Sequence, residues 1–81
     1  MLIENKSFDK IVISGKEYKD NIFSNCYFNY CDFSNASLTD VKFEDCEFNE
    51  CNFCFTNFSN VKLNNVIFKE CKLLGIEFSK C

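Results

Sequence analysis

The 81-residue chain has no Pro, His, Trp, Arg or Gln, and only two Gly. Each absence removes a chemistry. Without His there is no Ser–His or Cys–His couple and no imidazole ligand for a metal. Without Arg there is no bidentate fork for phosphate or guanine. A net charge of −3 lacks the basic footprint that direct nucleic-acid binding requires. The opening stretch MLIENKSF has no apolar h-region, and no apolar run approaches the ~18–20 residues of a membrane span. Seven Cys is an odd number, and nothing points to export. The chain therefore reads as one small cytoplasmic domain with reduced thiols and no membrane contact.

What is present is a repeat of five. From Phe23 to Phe78 every fifth residue is Phe or Leu, twelve positions without a skip, and ten of the 11 Phe lie in this register. Only Phe55 is off it. Two residues before each of these centres stands a second restricted set. It runs from Asn21, Cys26 and Cys31 to Cys71 and Ile76, and is mostly small or medium-sized and apolar. Residues two apart in an extended segment point to the same side, so this residue and its centre both face inward. The second residue after the centre is Asn25, Asn35, Asp40, Asp45, Asn60, Asn65 or Gly75 in seven blocks of twelve. These types tolerate the left-handed conformation that a corner needs. Each block is a short strand and a bend. A helix would spray the Phe side chains around its whole circumference. Strands joined by equivalent bends wind into a solenoid, in which each turn covers the next.

The blocks CDFSN, ASLTD, VKFED, CEFNE and CNFCF resemble the pentapeptide-repeat family. The resemblance covers residues 21–80, and Cys81 opens a further block. It implies an all-β fold, a right-handed quadrilateral parallel β-helix with four blocks per coil. Residues 21–81 then form about three full coils, preceded by a degenerate first coil or N-terminal cap over residues 1–20. Residues 20 apart should stack: Phe28, Phe48 and Phe68 in one column, with Phe8 in line below, and Cys31, Cys51 and Cys71 in another. In the first 20 residues Lys6 and Lys16 occupy the inward phase, where a buried charge is expensive. They are expected to splay outward and guard the open ladder edge.

At the other end Leu73, Ile76 and Phe78 are still in core phase. A bare solenoid end exposes apolar side chains and backbone. Two readings stand: a homodimer through this C-terminal end, for which the family has precedent, or a piece of a longer solenoid.

Cys26, Cys31, Cys46 and Cys51 form two C-x4-C pairs, but Ala, Val and Thr occur at equivalent positions. That exchange favours packing over zinc ligation. Ladder neighbours ~4.8 Å apart are also too distant for a disulfide. Cys54 lies just after a centre, off the packed positions; it and the terminal Cys81 are the candidates for reactive, or merely exposed, thiols.

No catalytic residue, cofactor or metal site is expected. The serines have no base partner, and a filled solenoid leaves no cleft. The candidate binding feature is an acidic corner, Glu44, Asp45, Glu47 and Glu50. The resemblance implies a protein-interaction role, since some family members mimic DNA on type II topoisomerases such as DNA gyrase. The charge is thin for that role. A rod of roughly 14 Å needs about eight net negative charges to match duplex DNA, whereas residues 21–80 carry eight acids against five lysines. No loop interrupts the blocks either. An interaction module and a structural segment of a longer β-helix with no separate activity both remain.

Overall fold

The chain turns because every fifth residue is left-handed. The structure, a computed structural model, describes residues 1–76. From Asn5 to Gly75 each corner residue has positive φ, 50–58° where a side chain is present and 73° and 75° at Gly15 and Gly75. Asn, Asp and Gly accept this conformation cheaply. Lys10, Tyr30, Glu50, Phe55 and Glu70 adopt it as well, so the geometry is imposed by the coil and not only by local preference.

Between corners run three-residue strands: β1 (Leu2–Glu4), β2 (Ser7–Asp9), β3 (Glu17–Lys19), β4 (Ile22–Ser24), β5 (Tyr27–Asn29), β6 (Ser37–Thr39), β7 (Lys42–Glu44), β8 (Glu47–Asn49), β9 (Asn57–Ser59), β10 (Lys62–Asn64) and β11 (Ile67–Lys69). They pair in parallel with partners 20 residues apart, such as Phe8 with Phe28 and Phe28 with Phe48. Three walls are the sheets β1-β4-β7-β10, β2-β5-β8-β11 and β3-β6-β9. The remaining wall is a column of single bridges through Val12, Asp32, Asn52 and Lys72. There the chain makes a tight turn instead of a longer strand. The Ala36 amide donates to the Phe33 carbonyl at 3.1 Å, around a left-handed Asn35. Asp32 and Asn52 fix this turn by accepting the amides of Ser34 and Cys54. The result is an all-β solenoid, without helix among the described residues. Residues 1–20 form a coil that pairs strand for strand with the second coil.

The tube is filled by rings. Phe8, Phe28, Phe48 and Phe68 stack with centroids 5.0, 4.7 and 5.2 Å apart and planes within 14°. Phe23–Phe43 and Phe33–Phe53 form parallel stacks at 5.2 and 4.6 Å. Neighbouring columns meet edge to face, as Phe48 meets Phe43 and Phe53. Both arrangements are favoured by the ring quadrupole.

The expectation of a completely filled tube is corrected at the N-terminal mouth. An apolar cavity of about 270 Å3 lies between the first two coils. The cause is in the sequence. Where the second coil has Phe23 and Phe33, the first has Ile3 and Ile13. Lys6 and Lys16 are exposed, so two inward positions contribute no filler.

Candidate partner-binding surfaces

The four acids of the candidate corner lie on one coil. Glu44 ends β7, Asp45 is the left-handed corner, Glu47 begins β8, and Glu50 stands at the following corner. Glu44, Asp45 and Glu47 thus wrap a single edge, while Glu50 is displaced to the next. Each already has a partner. Lys42 pairs with Glu44 at 2.9 Å. The Asn65 amide donates to Asp45 at 2.7 Å. Glu47 accepts from the Asn49 amide at 2.9 Å and faces the Lys69 ammonium at 3.5 Å. The Asn49 bond first, and Lys69 second, hold the Glu47 carboxyl below its ordinary range. Glu50 interacts with the Tyr30 phenol of the coil below, and this interaction pushes the phenol's pKa up. The surface is a hydrogen-bonded acidic edge, partly neutralised by its own lysines.

Asn and Asp residues at corners and at strand ends also link the coils. Along the columns the amides of Asn25, Asn29, Asn49, Asn60 and Asn65 donate to Asn5, Asp9, Asn29, Asp40 and Asp45 in the coil below. Their common spacing of 20 residues was the available signal.

At the C-terminal end Leu73 is 37% exposed and Ile76 is half-buried. Phe78 and Cys81 lie outside the described residues. Beside this end, Leu74 and the off-register Phe55 are 66% and 59% exposed. The Phe55 ring lies directly over Gly75, where an added Cβ would stand 2.6 Å from it.

The inward cysteines have a role beyond filling space. The thiols of Cys46, Cys51 and Cys71 donate to the carbonyls of Phe23, Phe28 and Phe48 at 3.4, 3.3 and 3.3 Å. Cys26 and Cys31 do the same to Ile3 and Phe8. Thr56 substitutes its hydroxyl, donating to Phe33 at 2.7 Å. These residues are therefore small donors for carbonyls of the coil below, one coil and three residues earlier. That offset is invisible until the coil length is known. All six described cysteines are free. Burial pushes the Cys46 thiol up to about 11 and Cys51 to about 12, and raises Cys31 and Cys71. Such thiols are poor nucleophiles and poor metal ligands. No cluster of three or more Cys, Asp or Glu suited to a metal occurs among the described residues. Cys54 is only partly covered.

A four-walled β-solenoid with a ring-stacked core and polar walls is a repeat protein. The chain belongs to the pentapeptide-repeat family: the family model for a pentapeptide repeat region matches residues 3–78. No curated protein matches the sequence. Among solved structures, a trypsin-treated variant of QnrB1, a plasmid-mediated fluoroquinolone resistance protein, aligns with TM-score 0.59 and 19% identity. The alignment covers 90% of this chain and 50% of the QnrB1 chain, so this chain spans about half that length. A pentapeptide repeat protein, Rfr23 from the cyanobacterium Cyanothece 51142, is also found at TM-score 0.35 and 15% identity, covering 94% of this chain and 82% of its own.

Proposed function

We propose that this solenoid is a protein-interaction module that presents the acidic edge of its third coil to a basic, DNA-binding surface of a type II topoisomerase such as DNA gyrase. The observation that carries the reading is the placement of Glu44, Asp45 and Glu47 around one rigid edge, with Glu50 and Glu70 on the adjoining corner. Corners set by the backbone present these carboxylates without a backbone ordering cost on binding. The fold likeness to a fluoroquinolone resistance protein supports the choice of target. The local neutralisation by Lys42 and Lys69 predicts weak, salt-sensitive binding and not tight DNA mimicry. Catalysis has no support in this reading, since the cavity is apolar and carries no acid–base pair.

A supercoiling assay with purified gyrase, with and without a fluoroquinolone, tests the proposal. The protein is expected to change supercoiling or drug sensitivity at micromolar concentration. A variant with Glu44, Asp45, Glu47 and Glu50 changed to their amides should lose the effect. No effect of the unmodified protein dismisses the topoisomerase as partner.

A second reading is a structural segment of a longer β-helix. It is favoured by the half-length overlap with QnrB1 and by the half-buried state of Leu63, Val66, Phe68 and Cys71, which a further coil would cover. In-phase repeats in the coding region downstream would support it.

A further inference from the structure

We infer that the N-terminal mouth of the tube binds a small neutral aromatic molecule carrying one hydrogen-bonding group, of the size and chemistry of indole or a phenol. The cavity of about 270 Å3 is lined by Ile3, Phe8, Ile13, Tyr18, Asn21 and Phe28, among others. An apolar cavity of roughly 150 Å3 already accepts benzene, so a fused two-ring molecule is within its capacity.

Three observations define the ligand class. First, the space arises where the pile of rings is interrupted. Phe33 and Phe53 stack at 4.6 Å and Phe23 and Phe43 at 5.2 Å, but the next member of each column toward the N-terminus is an isoleucine. A planar ring entering there meets the faces and edges of rings already spaced for stacking. Second, the lining is almost wholly apolar, so a charged ligand would lose its hydration without return. Third, the lining includes one carboxamide where the coils above have hydrocarbon. Asn21 occupies the inward position held by Val41 and Val61 in the next two coils. It is half-buried, and its side chain makes no hydrogen bond among the described residues. An indole N–H or a phenol O–H would supply a partner that the protein does not.

The test titrates the folded protein with indole and, separately, with benzene, followed by ligand-observed NMR and by the melting temperature. Saturable binding of indole at one site per chain is expected, with a rise in melting temperature. Asn21→Val places in the second coil the residue that the same column carries in the next two. It should weaken indole about tenfold, the effect of one hydrogen bond, and leave benzene unchanged. Ile13→Phe returns a ring to the mouth and should abolish binding of both. If Ile13→Phe fails to fold, the indole-against-benzene split in Asn21→Val decides. The inference is overturned if folded protein shows no saturable indole binding at millimolar concentration. It is also overturned if Ile13→Phe binds as well as the parent, or if melting rises with protein concentration and excludes indole, which means that a second copy closes the mouth.

Discussion

Phe48 and Phe8 are the same residue, in the same column and the same phase, yet Phe48 is 1% exposed while Phe8 is only half-buried. The whole third coil contrasts with the first in this way. Phe43, Phe48, Phe53 and Phe58 are sealed, whereas Ile3, Phe8, Ile13 and Tyr18 are half-open. The strands among them are alike in length, but β1, β2 and β3 pair on one side only, whereas β7 and β8 pair on both. The difference lies above and below. In a solenoid a residue is buried by its neighbours in adjacent coils, so its energetic weight is a property of position along the axis.

The largest effect expected from this contrast is on stability. Phe48 has parallel rings on both sides and edge contacts to Phe33, Phe43 and Phe53. Phe48→Ala should cost about 3–5 kcal/mol in a urea titration. Phe8 has one parallel ring and one edge contact. Phe8→Ala should cost roughly half as much. Equal losses would mean that the coils unfold independently of their covers.

That column was legible in the sequence because it needed only two numbers, a period of five and a coil of 20. Phe28, Phe48 and Phe68 fall 20 apart, and the structure stacks them. The corners at Asn25, Asp45 and Asn65 were legible because side-chain chemistry and backbone demand coincide there. Other features depend on three-dimensional offsets. The thiol donors reach carbonyls 23 residues back. The ring of Phe55 covers Gly75 across a coil boundary. The cavity comes from a volume deficit spread over Ile3, Ile13, Lys6 and Lys16, each unremarkable alone. Glu44, Asp45, Glu47 and Glu50 were recognisable as an acidic run, but the Lys69 charge beside Glu47 and the Asn65 amide on Asp45 come from neighbours 20 or more residues away.

The thiols sharpen the same contrast through pH. Burial holds Cys51, in the third coil, protonated up to about pH 12 and Cys46 up to about 11. The unfolded chain releases these protons near the ordinary thiol value of 9.0. Above that value the native state binds more protons than the unfolded state, so stability falls as pH rises. The contribution is complete below the ordinary value and is lost progressively toward the folded ones. Urea midpoints should drop from about pH 9 toward about pH 11–12. Cys51→Ala should flatten the drop more than Cys71→Ala, because Cys71 is only half-covered in the fourth coil. A thiol reagent should modify Cys54 before Cys46 or Cys51. Early loss of the Cys51 signal would contradict the sealed third coil.

The two glycines compare the terminal coils directly, because they occupy equivalent corners with φ of +73° and +75°. Alanine at either site carries the left-handed penalty of about 1 kcal/mol. At Gly15 the new methyl meets nothing within 4 Å. At Gly75 it meets the Phe55 ring at 2.6 Å, and the ring must leave. Gly75→Ala should therefore cost up to about 1 kcal/mol more than Gly15→Ala, and Phe55→Asn should remove the excess in a double-mutant cycle. Identical costs would show that Phe55 makes no useful contact with the fourth coil.

The smallest effect is a gain. Glu70 is held at φ 52° directly above Glu50, so it combines an unfavourable conformation with a like-charged neighbour. Elsewhere the corner columns place an Asn above an Asp, as Asn65 lies over Asp45 and Asn60 over Asp40, with amide–carboxylate bonds of 2.7 and 2.6 Å. Glu70→Asn extends that pattern by one step. It relieves the left-handed strain, removes the repulsion, and gives Glu50 an amide donor from the coil above. The expected gain is about 0.5–1 kcal/mol, measured by the urea midpoint. Lys10→Asn in the first coil relieves the same φ but lies below Tyr30, which offers no carboxylate, and should gain less. If both substitutions gain equally, the strain alone sets the corner energies and the amide ladders add nothing. If only Glu70→Asn gains, the ladder is the stabilising unit. The persistence of Glu70 over a more stable Asn would then be a reason to look for its partner on that same acidic corner.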